Sequence, residues 1–103
     1  MKIKGSMRKE IRVEVYPNNL GRMDWDEAVK VCSELGDGWR LPTKSELNYL
    51  YENKDKIGGF KKEYYWSSTE FDERSSWDQG FYSGFQFHHL KSSISNVRAV
   101  RDI

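Results

Sequence analysis

The chain changes character at Gly58-Gly59, and that change limits the folds open to it. Before it, apolar residues recur at helical spacing. After Phe60 the sequence reads as strands to its end. Residues 10–16 are also strand-like, with Ile11, Val13 and Val15 alternating against Glu10, Arg12 and Glu14. A strand, two helices and a run of antiparallel strands make an α+β order.

The helical half has clear boundaries. Asp24 is a helix N-cap, with Asp26 and Glu27 in the first turn, where the dipole favours anions. Trp25, Ala28, Val29, Cys32 and Leu35 form one apolar stripe, closed by Gly36. Pro42 keeps Leu41 extended. Thr43-Lys44-Ser45-Glu46 then has the spacing of a capping box, a hydroxyl at N-cap and a carboxylate three residues on. In the helix that follows, Leu47, Leu50 and Tyr51 face inward and Asn48, Glu52 and Lys54 outward. The other half divides into strands over residues 64–69, 77–81, 85–89 and 96–101. A polar loop at Phe71–Ser76 and a tight turn at Ser83-Gly84 separate the middle ones.

Composition narrows the function. A chain of 103 residues with 37% hydrophobic content is one small domain, in which six tyrosines, five phenylalanines and four tryptophans make up for scarce aliphatics. Residues 1–7 are expected to be a flexible N-terminus or cloning remnant, and residues 8–103 a single domain. A net charge of +1 leaves no footprint for nucleic acid or an anionic membrane. No apolar run is long enough to span a membrane, and no signal-peptide core is visible. The compartment stays open, with cell surface, secreted and virion locations all allowed if a signal has been removed. Cys32 is the single cysteine, so no internal disulfide and no zinc cluster can form.

Gly38-Trp39-Arg40-Leu41-Pro42-Thr43-Lys44-Ser45-Glu46-Leu47, Tyr65-Trp66-Ser67-Ser68-Thr69-Glu70 and Val97-Arg98-Ala99-Val100-Arg101 carry a family signal. In order and spacing they resemble the Lcl C-terminal domain family, a bacterial and phage group with a C-type lectin-like fold. The resemblance runs from about Asp24 to Arg101. It implies that the first and last strands pair. It also implies that Arg40, Arg98 and Arg101 are structural, held by an acidic partner such as Glu46. The first stretch is similar to formylglycine-generating sulfatase-modifying enzymes of the same fold. Those enzymes use two late cysteines, and this chain has none after Cys32.

Other chemistry is sparse. Asp72, Glu73 and Asp78 are the only grouped carboxylates in the region where lectin-like proteins hold calcium, too few for its six to eight oxygens. His88 and His89 are adjacent on a strand and point to opposite faces, so they do not share a metal. Ser67, Ser68 and Thr69 have no base beside them, and their hydroxyls suit backbone groups at a strand end. No cofactor and no metal is expected.

What remains is an aromatic and amide cluster: Trp77, Tyr82, Phe85, Gln86, Phe87, His88 and His89. Phe85 and Phe87 share one strand face, Gln86 and His88 the other, and one of the two faces should be exposed. Either Phe81, Phe85 and Phe87 are simply core, or the cluster is a recognition surface together with the loop at Phe71–Ser76. Some lectin-like proteins of this group diversify exposed residues near the C-terminus by retroelement-driven mutagenesis, and the residues after Gly84 fall at that place. The reading adopted is a non-catalytic module that binds a protein or glycan on a cell or virion surface without metal, as a monomer or weak oligomer. Phe85, Phe87 and Trp77 would give apolar contact; Tyr82, Gln86, His88 and His89 would give hydrogen bonds. An assembly module of a larger phage or envelope protein is the alternative, and an enzyme related to the formylglycine generators the third.

Overall fold

The computed structural model describes residues 11–103. The expected flexible terminus, residues 1–7, lies outside them, as does Glu10. Ile11, Val13 and Val15 are half-buried while Arg12 and Glu14 are exposed, the alternation of a one-sided strand. Its regular part, β1 (Val13–Val15), pairs antiparallel with β7 (Val100–Asp102), Val15 opposite Val100. First and last strands therefore do pair.

Helix α1 (Trp25–Glu34) begins where Asp24 accepts the Glu27 N–H at 2.9 Å. Its buried face is centred on Ala28 and Cys32. Val29, expected in the stripe, is exposed, because one residue along a helix turns it about 100° away from Ala28. Helix α2 (Lys44–Glu52) has the capping box in full: the Glu46 N–H donates to Thr43 Oγ1 at 3.2 Å, and the Thr43 N–H donates to Glu46 Oε1 at 2.8 Å. Leu47 and Leu50 are buried as expected. Asn48 does not simply face outward, since its Oδ1 accepts from Gln79 Nε2 at 3.0 Å. A further turn, α3 (Lys54–Ile57), continues past α2.

The main sheet comprises β2 (Arg22–Met23), β3 (Tyr64–Glu70), β4 (Ser75–Gly80), β5 (Gln86–Leu90) and β6 (Ser95–Asn96). Their spatial order is β2-β6-β3-β4-β5, antiparallel except where β3 meets β6. Neighbouring residues of β3 point to opposite sides, and each supplies the large ring of one core cluster. Trp66 packs with Ala28, Cys32, Leu41, Val97 and Ala99, while Tyr65 packs with Leu47, Leu50, Phe81 and Val100.

Two strand boundaries differ from expectation by more than one residue. The loop after β3 is shorter, because Asp72 Oδ1 accepts the N–H groups of Arg74 and Ser75 at 2.9 and 2.8 Å and starts β4 at Ser75. The expected strand over 96–101 is split. Asn96 ends β6 and Val100 begins β7, while Val97 and Ala99 between them are fully buried. Arg98 explains the break. Its guanidinium reaches the carbonyls of Tyr16 (2.6 Å), Gly58 (3.1 Å) and Pro17 (3.3 Å) and lies over the Phe60 ring.

The arginines are structural, but the acidic partner is not common to them. Arg40 makes the bidentate pair with Glu46 at 2.7 and 3.0 Å and also reaches Asp102. Arg101 takes Glu14 at 2.9 Å. Arg98 binds carbonyls, and no carboxylate among the described residues pairs with it.

Candidate functional site

The β4–β5 hairpin sets the site. Its register places Gln79 opposite Gln86, Trp77 opposite His88, Asp78 opposite Phe87 and Ser76 opposite His89. The connection is closed by the Gly84 N–H donating to Gly80 O at 2.8 Å and the Gly80 N–H donating to Phe85 O at 3.0 Å. Gly84 has φ +86° and packs so closely on the Tyr51 ring that a Cβ there would lie 2.6 Å from it.

Directly opposed residues share a face, so the hairpin presents two different surfaces. The inner one faces α2. Gln86 donates to the Lys44 carbonyl at 2.8 Å and to Gln79 Oε1 at 3.3 Å. Gln79 donates to Asn48 and to the Gly84 carbonyl. The Lys44 ammonium sits 3.6 Å from the centre of the half-buried Trp77 ring. The His88 ring stacks on Phe71, 3.6 Å apart and within 3° of parallel, and meets Trp77 edge-on.

The outer face is open. Phe85, Tyr82 and Phe87 are 66%, 58% and 46% exposed. Tyr64 joins them from β3, with ring centres 5.8 Å from Tyr82, 6.3 Å from Phe87 and 5.4 Å from His89. Beneath this layer Asp78 is fully buried, its Oδ2 2.5 Å from His89 Nδ1 and its Oδ1 unpartnered. Burial pushes the Asp78 carboxyl up to about 6, against the opposing pull of His89. The hydrogen bond with Tyr82, before burial, raises the Tyr64 phenol to about 12, so it remains protonated. A shallow depression of about 320 Å³ opens beside Tyr64 and Tyr82, lined also by Arg22, Lys62, Glu63, Ile94, Ser95 and Asn96.

A family model for the Lcl C-terminal domain matches residues 7–101. The chain belongs to the Lcl C-terminal domain family. Comparison with curated protein sequences gives no match. Among solved structures, crystalline botrocetin is similar at a TM-score of 0.61 and 12% identity, over 88% of this chain and 89% of that one. Botrocetin in complex with a mutant von Willebrand factor A1 domain is similar at a TM-score of 0.57 and 14% identity, with the same coverage. These likenesses establish the C-type lectin-like fold for this Lcl C-terminal domain.

In this Lcl domain the seven residues singled out in the sequence do not form one patch. Tyr82, Phe85, Phe87 and His89 share the outer face, whereas Trp77, Gln86 and His88 lie on the inner one. The Gln86 amide nitrogen is already committed to the start of α2. Phe81 is core, but Phe85 and Phe87 are not. Asp78 lies apart from Asp72, which is exposed and capping its own turn. Among the described residues no group of three or more His, Cys, Asp or Glu side chains is placed to hold a metal ion. Sequence reasoning missed Tyr64 as a site residue and weighed Asp78 only as a calcium ligand beside Asp72 and Glu73. The signal for Asp78 was an acidic residue in mid-strand, where only a partnered carboxylate is tolerated.

Proposed function

We propose that this domain is a non-catalytic binding module whose outer hairpin face takes a protein or glycan ligand without a metal ion. One observation carries the reading: Phe85, Tyr82 and Phe87 stand exposed together at the hairpin, Tyr82 edge-to-face with Tyr64, and Phe87 tilted against both Tyr64 and Phe85. Exposed rings held in fixed geometry give large contact area at low entropic cost, the pattern of binding hot spots. The botrocetin complex with the von Willebrand factor A1 domain supports protein recognition as a use of this fold. Ser76 lies opposite His89, but its hydroxyl is buried and makes no bond with the imidazole. The Ser–His contact that nucleophilic catalysis requires is therefore missing between Ser76 and His89. The partner is a cell-surface or virion component, and the domain works as a monomer or weak oligomer.

The test is a screen of glycans and surface proteins with and without calcium, using wild type and a Phe85→Ser/Phe87→Ser variant. Calcium-independent binding lost in the variant supports the reading; binding that needs calcium refutes it. The same exposed rings favour a second reading, a subunit contact in a larger phage or envelope assembly. Light scattering separates the two, since a defined oligomer dispersed by the same variant selects assembly.

A further inference from the structure

The two edges of the main sheet are unlike. At one end β2 is only two residues long, Arg22–Met23, too short to template another strand. At the other end β5 runs from Gln86 to Leu90 in unbroken register with β4, and among the described residues no strand pairs with its outer side. Natural edges are protected by a lysine, a proline, a bulge or an inward-pointing charge, and β5 has none of these. Phe87, His88, His89 and Leu90 are all exposed along it.

The groups this edge presents follow from its bonds to β4. The Gly80 N–H donates to Phe85 O at 3.0 Å, and the Lys91 N–H donates to Arg74 O at 2.7 Å. Alternation then turns the backbone groups of Phe85, Phe87, His89 and Lys91 toward β4. It leaves the N–H and C=O of Gln86, His88 and Leu90 directed outward. The Leu90 carbonyl also accepts from the Ser93 N–H at 2.9 Å, which uses one of its two lone pairs.

Three outward-facing residues at alternate positions, centred on His88, are complementary to the same three run in the opposite direction. We propose that two copies of this chain pair β5 to β5 across a two-fold axis at His88, joining their main sheets into one. His88 then exchanges both backbone bonds with the partner's His88, and Gln86 does the same with the partner's Leu90. Phe87 lies opposite the partner's His89, at the non-hydrogen-bonded position where side chains approach most closely.

A second copy fits this edge better than an unrelated strand for two reasons. Residues 84–90 include no Asp, Glu, Lys or Arg, and Lys91 at the end is held by Glu70 at 2.7 Å, so two such edges meet at neutral pH without like charges opposed. The pairing also closes on itself. Once β5 is used in both copies, the main sheet's remaining edges are the two-residue β2 strands, so assembly stops at a dimer. Strand pairing covers backbone and leaves Tyr82, Phe85 and Phe87 open on the outer side. Two ring faces then stand next to each other on one continuous sheet, and a ligand that repeats its epitope gains avidity from engaging both. The inference goes beyond the binding face and does not depend on it.

Sedimentation velocity on the full chain over a concentration series tests it, with His88→Lys and His88→Glu beside wild type. One short strand pair makes a small interface, so wild type should dimerise with a dissociation constant of roughly 10–500 µM. Each variant alone sets like charges against each other at the axis and should weaken the dimer at least about tenfold. An equimolar mixture of the two should restore it, because only the mixed pair sets lysine against glutamate. Amide exchange needs no variant: the N–H groups of Gln86, His88 and Leu90 should slow as the wild-type concentration rises. A wild type that stays monomeric to about 1 mM, a dimer that both variants keep, or folded variants whose mixture stays monomeric overturns the inference. An oligomer dispersed by Phe85→Ser/Phe87→Ser but not by the His88 variants also overturns it, and places the contact on the ring face instead. The ligand screen reads the binding face separately, so failure of one is distinguishable from failure of the other.

Discussion

Arg98→Met should be among the most damaging single changes in this domain. The guanidinium is 2% exposed and holds three carbonyls, those of Tyr16, Pro17 and Gly58, while lying over the Phe60 ring. It thereby fastens the exit of β1 and the end of α3 to the point where the last strand changes sheets. Hydrogen bonds to a charged donor contribute about 1.5–3 kcal/mol each, and the ring contact about 0.5–2 kcal/mol. Against this stands the desolvation of an arginine that has no counter-charge among the described residues, and burial lowers its pKa from the ordinary value. Methionine fills much of the volume and removes that cost, but it leaves three carbonyls without their donor. The net loss should be about 3–5 kcal/mol, a large share of the roughly 5–15 kcal/mol that holds a domain together. Urea unfolding followed by tryptophan fluorescence reads it directly, and amide exchange at Gly58 and Gly59 should accelerate in parallel. A loss below about 1 kcal/mol with unchanged exchange would refute the reasoning, because water would then be serving those carbonyls equally well.

Three further outcomes are expected. Asp78→Asn should stabilise the domain at neutral pH. Its folded pKa lies above the unfolded value, so the Asp78 contribution is fully present below about 3.8 and lost as pH rises to about 6. That amounts to about 3 kcal/mol at pH 7, and parallel urea curves for wild type and variant at the two extremes would show no difference in slope with pH if it is wrong. Gly84→Ala should cost about 2–4 kcal/mol, from the left-handed backbone and from the Tyr51 ring 2.6 Å from the new Cβ, as read by thermal unfolding. Cys32 is fully buried, with its thiol pushed up to about 12 by desolvation, so iodoacetamide should label it only at the global unfolding rate.

The helices were legible because their signals are local. Asp24 with Glu27, and Thr43 with Glu46, satisfy backbone groups within three residues, and a sequence displays that spacing directly. The two-residue strands β2 and β6 were not legible, since so short a ladder exists only where tertiary packing brings it together. The split at Val97–Ala99 was hidden for a similar reason, as the carbonyls that draw Arg98 are about forty and eighty residues away in sequence. In the site, alternation along Phe85–His89 correctly separated Phe87 from Gln86 and His88. Which face would stay open depended on where α2 docks, and Gln86 turned out to clamp that helix. Tyr64 and Asp78 reached the site through register pairing across β3, β4 and β5, which one sequence does not specify.

The most direct test of the account is calorimetric titration of one calcium-independent ligand from the screen into wild type and Phe85→Ser/Phe87→Ser at matched thermal stability. Two exposed rings at the centre of a binding face contribute about 2–3 kcal/mol together, so affinity should fall by roughly 30- to 150-fold. An affinity within twofold of wild type would place the ligand elsewhere on the domain and contradict the outer hairpin face as its binding surface.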